Sequence, residues 1–135
     1  MSDTRLTLRV DFGSSRSIGP GKVRLLEAIA RTGSISQAGR ALGMSYRRAW
    51  LLIDDMNQCF RHVVVSAQPG GSQGGGAVLT EFGADLVRDY RAIESTATDA
   101  ARRRLRGLEG ALKPRARKTS EPRKITVRGR KRGGK

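Results

Sequence analysis

Residues 32–50 read "TGSISQAGRALGMSYRRAW". Gly33 is placed to stop an incoming helix, since glycine adopts the left-handed conformation that ends one. Ser34 and Gln37 have the spacing of a capping box, in which each side chain satisfies a free amide of a new helix. Ile35, Ala38 and Leu42 give that helix an apolar side, and Gly43 ends it. Ser45 then stands where the cap of the next helix belongs. The stretch predicts one helix ending at Gly33 and two more joined through Gly43.

Upstream, "PGKVRLLEAIARTG" (20–33) supplies the first of these helices. Pro20 opens it, and Val23, Leu26, Ile29 and Ala30 share a face. "GSSRSIGPGK" before it reads as a loop. "RLTLRVDF" (5–12) alternates apolar and polar residues with period two, the pattern of a half-buried strand. Downstream, "MSYRRAWLLIDDMNQCF" (44–60) should bury Ala49, Leu52, Ile53, Met56 and Phe60. Tyr46, Arg47, Arg48, Leu51, Asp54 and Asp55 fall on the other side, with Trp50 near the boundary. "HVVVSAQ" (62–68) and "AVLT" (77–80) read as two strands around "PGGSQGGG", a hairpin. Thr80 caps a last helix, with Glu81 near its positive end. Its stripe is Phe82, Leu86, Tyr90, Ile93 and Ala97, continuing toward Leu105 and Leu108. From 81 to about 105 this helix would be roughly 37 Å long, more than a small core needs. Part of the stripe is therefore expected on a second copy of the chain. The fold class is mostly α with a small β wing: a winged helix-turn-helix with an N-terminal strand and a long C-terminal dimerisation helix.

The chain has 135 residues, a length for one domain and a tail. Residues 1–100 carry 12 Lys and Arg against 10 Asp and Glu, a balance of +2. Residues 101–135 carry 15 against 2, a balance of +13. The expected organisation is a domain over 1–110, with the dimerisation helix at about 80–108, and a disordered basic tail over 111–135. A basic arm on a near-neutral body is a footprint for a polyanion, and double-stranded DNA is the leading partner. No apolar run reaches membrane-span length, and no secretory signal is present, so no membrane partner is expected. The lone Cys59 excludes an internal disulfide and suggests a reducing, cytoplasmic compartment, here that of the bacterial nucleoid.

"GPGKVRLLEAIARTGSISQAGRALGMSYRRAWLLIDDMNQ" together with "GGSQGGGAVLTEFGADLV" resembles the N-terminal DNA-binding domain of the ModE molybdate-responsive regulators. That family lies within the wider LysR-type winged-helix group. The likeness runs from about Ile18 to about Ile93. It implies a homodimer that sets two recognition helices in successive major grooves, with the long last helix and first strand at the dimer contact. ModE-type regulators also carry molybdate-binding β-barrels. The residues after the last helix here are basic and unpatterned. The expectation is that this chain does not sense molybdate by itself and needs no cofactor; a separate effector-sensing protein is a possible partner, and the sequence names no effector.

The candidate sites follow. Ser45, Tyr46, Arg47, Arg48 and Leu51 occupy the part of a recognition helix that meets base edges, where arginine can donate bidentately to guanine. The plain alternative is a solvated helix end. Ser34, Ser36 and Gln37 start the preceding helix and could hold a phosphate as well as cap it. In the glycine loop, a phosphate-cradling motif would need Gly-Lys-Ser/Thr before a helix, and this loop leads to a strand instead. Gln73, Gly74 and Gly75 read as a wing tip that approaches the DNA backbone, or as a mobile tip with no contact. In the tail, Arg128 and Arg130 lie in "RGRKRGGK", a weak likeness to a minor-groove Arg-Gly-Arg hook and otherwise a generic polycation. The dimerisation residues are Leu86, Tyr90, Ile93 and Ala97. Asp54 and Asp55 diverge around a helix and do not form a catalytic pair. His62 and Cys59 are too few for a metal site. With no assembled nucleophile, base or metal, an enzyme is not expected. The function expected is a sequence-specific DNA-binding transcription regulator. The alternative is a less specific architectural DNA-binding protein dominated by the basic arm.

Overall fold

The computed structural model describes residues 3–68 and 76–115. In chain order it contains β1 (Val10–Phe12), β2 (Arg16–Ile18), α1 (Pro20–Thr32), α2 (Ile35–Ala41), α3 (Tyr46–Cys59), β3 (Val65–Gln68), β4 (Gly76–Leu79) and α4 (Glu81–Gly110). The fold is a winged helix-turn-helix: three short helices, an antiparallel wing and a long final helix.

Capping and turns account for the boundaries. Pro20 opens α1, and Gly33 ends it at φ 71°, its amide donating to Ile29 O at 2.7 Å. Ser34 Oγ accepts the Gln37 amide at 3.0 Å. Thr32 Oγ1, rather than the Gln37 side chain, accepts the Ser34 amide at 3.3 Å. The expected capping box is thus half formed by its own members and completed by a residue from α1. Gly43 turns the chain at φ 72°, a conformation that side chains with a Cβ rarely adopt. Ser45 Oγ caps α3 by accepting the Arg48 amide at 3.0 Å.

α1 lies at the centre and touches α2, α3, α4 and β4. It therefore buries Leu25 and Ala28 as well as Val23, Leu26 and Ile29. Ala30, expected on the buried face, is exposed because α1's neighbours leave that side open. Ile18, Ala38, Ala49, Ile53, Met56, Val64, Ala77 and Tyr90 complete the core. Burial of aliphatic and aromatic carbon is the main force holding these elements together.

Three strand expectations need correction. The period-two segment 5–12 is a strand only at Val10–Phe12. Leu6 and Leu8 alternate toward the body as expected, but no strand ladder forms there. The supposed loop before α1 contains β2, which pairs Val10 with Ile18 and Phe12 with Arg16. A strand of three residues leaves too little periodicity to be read. In the wing, the first strand begins at Val65 rather than His62. Val64 is drawn into the core, and its amide donates to Asn57 Oδ1 at 2.8 Å. The wing register pairs Val65 with Leu79 and Gln68 with Gly76.

α4 runs 30 residues, about 45 Å, longer than expected. Its first turns lie on α1. Arg91 grips Glu27 of α1 through two bonds of 2.9 Å and Glu94 through one of 2.7 Å. This clamp was not foreseen, since the partners Glu27 and Arg91 are far apart in sequence. Hydrogen bonding from Arg91 holds the Glu27 carboxyl below its ordinary value of 4.5, against the opposing effect of burial. A depressed folded-state value stabilises above the ordinary pKa and is lost as pH falls through the lower one. Glu27→Gln should therefore cost about 0.5–1 kcal/mol near neutral pH. Thermal melts of the two proteins should converge once the pH is low enough to protonate Glu27.

Candidate nucleic-acid interface

The outer face of α3 is set by what its inner face must do. Ala49, Ile53 and Met56 are buried, so the positions between them turn outward. Tyr46 is 55% exposed and Leu51 51%, and Arg47 and Arg48 are exposed beside them. Among the described residues no ion pair involves Arg47 or Arg48. Two guanidinium groups thus stand together at the start of a helix, free to donate to an anion or a base edge.

The acidic neighbours are occupied elsewhere. Asp55 pairs with Lys22 of α1 at 2.5 Å. Asp54 accepts from Gln58 Nε2 at 3.2 Å. The carboxylates nearest the arginines on α3 therefore do not neutralise them.

α2 holds its start beside α3. Ser36 and Gln37 are exposed, while Ser34 is half-buried. Arg40 donates to Ser36 Oγ at 3.1 Å. The wing is pinned alongside by Ala77 N, which donates to Gly33 O at 2.9 Å in the turn between α1 and α2. Ser34, Ser36, Tyr46, Trp50, Ser66 and Gly76 line a groove of about 440 Å³ between the two helix starts and the wing. Residues from three sequence segments, the start of α2, the start of α3 and the wing strands, therefore share one surface. Trp50 belongs to it as well. It is 42% exposed, and its Nε1–H donates to Tyr46 Oη at 2.8 Å. The i to i+4 spacing was the available signal for that pair.

Gln73, Gly74, Gly75, Arg128 and Arg130 lie outside the described residues. Of the residues expected at a dimer contact, Tyr90 is committed to its own protomer. It is 2% exposed and its hydroxyl donates to Leu8 O at 2.5 Å. Leu86 is half-buried against the same core. Ile93 points outward at 49% exposure, and Ala97 is intermediate. The sequence stripe is real, but its early members face their own protomer: Phe82 and Leu86 pack against the core, and Tyr90 is part of it.

Cys59 is half-buried. His62 is exposed and stacks on Phe82 with ring centres 5.5 Å apart. Among the described residues no three His, Cys, Asp or Glu side chains converge on a metal-sized site. No helix among them is long and apolar enough to cross a membrane.

Residues 21–84 match the bacterial regulatory helix-turn-helix proteins of the lysR family. The molybdenum transport protein ModE of Azotobacter vinelandii is 40% identical over 109 residues, covering 78% of this chain and 40% of its own length. The DNA-binding transcriptional dual regulator ModE of Escherichia coli (strain K12) is 46% identical over 71 residues, covering 53% of this chain and 27% of its own. The chain thus spans well under half the length of these relatives. Among solved structures, the CbnR DNA-binding domain in complex with DNA superposes with a TM-score of 0.51 at 18% identity, over 65% of this chain and 95% of that one. That likeness is one of fold. Residues 21–84 of this chain are a LysR-type helix-turn-helix domain of the ModE kind.

Proposed function

We propose that the chain is a sequence-specific, double-stranded-DNA-binding transcription regulator that works as a homodimer, and not an enzyme. The observation that carries this is the outer face of α3, where Arg47 and Arg48 stand exposed beside Tyr46 and Leu51, without an ion-pair partner among the described residues. A face of that kind on the second helix of a helix-turn-helix suits the major groove, where arginine reads guanine N7 and O6. The DNA-binding regulator among the relatives, and the fold shared with a DNA-bound domain, support the same reading. In this proposal Ser45 contributes at the helix start, and Ser34, Ser36 and Gln37 hold the DNA backbone. Gln73, Gly74 and Gly75 of the wing and Arg128 and Arg130 of the tail add backbone contacts on sequence grounds. The site of action is the bacterial nucleoid.

The test is retention of genomic duplex fragments by the full chain at physiological salt, against excess random duplex. Retention of a few fragments is expected. Uniform retention that fades as salt rises would mark charge-driven binding alone and overturn the proposal.

The dimer is proposed on the outward apolar residues of α4 and on Leu112 just past its end. Ile93 is 49% exposed, Leu108 67% and Leu112 70%. With Tyr90 inside its protomer, Ile93 becomes the residue on which the contact depends most. Ile93→Glu should yield a folded monomer by sedimentation. Its affinity for a two-half-site operator should fall by roughly 100-fold, since the second half-site no longer adds. An unaltered dimer would place the contact elsewhere.

A further inference from the structure

Trp50 is half exposed on a helix whose buried positions are Ala49, Ile53 and Met56, so core packing does not account for it. Its indole Nε1–H donates to Tyr46 Oη at 2.8 Å, one turn back on α3. A surface bond between neutral groups competes with water and adds little to stability. Its consequence is directional. A phenol oxygen has one O–H donor and accepts through its lone pairs. With the indole N–H seated on that oxygen, repulsion between the two hydrogens turns the phenolic hydrogen away from Trp50. The indole also borders the groove that Ser34, Ser66 and Gly76 line. Tyr46 thus presents a donor in a set direction at the start of α3, next to Arg47 and Arg48.

We propose that Trp50 is a positioning residue, which fixes the Tyr46 hydroxyl as an outward hydrogen-bond donor to an acceptor on duplex DNA. The acceptor carries no hydrogen of its own: a purine N7 in the major groove or a phosphate oxygen. The inference rests on the reading of α3 as the DNA-facing helix.

Trp50 is the chain's single tryptophan, so its indole N–H gives one separate nuclear magnetic resonance signal. In the free full-length protein, Tyr46→Phe should move that signal upfield and speed its exchange with water. An unmoved signal overturns the proposal. On a duplex selected by the unmodified chain, Tyr46→Phe and Trp50→Phe should each weaken binding roughly tenfold. The double variant should bind no worse than Tyr46→Phe alone, because the two residues act through one hydroxyl. Additive losses, with both variants folded by circular dichroism, give Trp50 a contact of its own and overturn the proposal.

Substituted duplexes separate the two acceptors. Loss of the wild-type advantage over Tyr46→Phe at one 7-deazapurine identifies a base nitrogen. Loss at one methylphosphonate identifies the backbone. An advantage that survives every substitution overturns the proposal. If the unmodified chain selects no duplex, the DNA reading of α3 fails and this role falls with it. If it selects duplexes and the losses are additive, only the role of Trp50 fails.

Discussion

Alanine at Gly83 is expected to lower the thermal midpoint of the domain by roughly 10 °C, although alanine is the better helix former. Gly83 lies in the first turn of α4 and is buried. A Cβ added there would sit 2.2 Å from Val64 O and 3.1 Å from Val64 C. Both are backbone atoms and cannot swing aside. Val64 is also held from two directions, by Asn57 Oδ1 on its amide and by the Thr80 amide on its carbonyl at 3.0 Å. Relief would require α4 to lift from the wing base. Helix propensity would gain about 1 kcal/mol. Overpacking of this severity costs about 3 kcal/mol or more. The balance is a net loss of about 2 kcal/mol, and each kcal/mol moves the midpoint of a domain this size by about 4–8 °C. Gly107→Ala on the same helix is the control, since a Cβ there meets nothing within 4 Å. It should hold or raise the midpoint. A neutral Gly83→Ala would mean that α4 does not seat against Val64 as described.

Alanine at Arg47 and at Arg48 together is expected to cause the largest loss of DNA recognition with no loss of folding. Neither side chain touches the core, and neither is part of an ion pair among the described residues, so the melting curve should be unchanged. An arginine that donates bidentately to guanine contributes about 1–3 kcal/mol of discrimination, roughly 5- to 150-fold in affinity. The single variants then sort the two roles. The base-reading arginine, when removed, relaxes preference at one position. A phosphate-binding arginine, when removed, weakens all sequences alike and lowers the salt dependence. Competition binding against a panel of single-base operator variants distinguishes them. Unchanged affinity in the double variant would remove α3 from the interface.

The helical frame was legible because its signals are local. Pro20, Gly33, Ser34, Gly43, Ser45 and Thr80 are caps and stops whose effect reaches only a turn, and all act where the sequence puts them. The outward set on α3 was legible for a related reason, since three buried positions fix the phase of the whole helix. What escaped was long-range. β2 is defined only by its pairing with β1. Val64 leaves the strand because the core claims it. Tyr90 looked like part of an outward stripe, yet periodicity alone cannot say which neighbour a stripe meets, and the protomer's own core took it. The Arg91 clamp joins residues on α4 and α1 that only the fold brings together, and the Trp50–Tyr46 bond, though local, depends on side-chain geometry that i to i+4 spacing permits but does not specify.

The claim on which the rest depends is that the start of α3 lies in the major groove. Methylation interference on a bound duplex tests it most directly, because guanine N7 faces the major groove and adenine N3 the minor. Methylation at N7 should abolish binding at two clusters, separated by about 10 base pairs or a multiple, as two half-sites of a dimer require. Binding indifferent to N7 methylation everywhere, and disturbed only by alkylation of phosphates, would contradict the account.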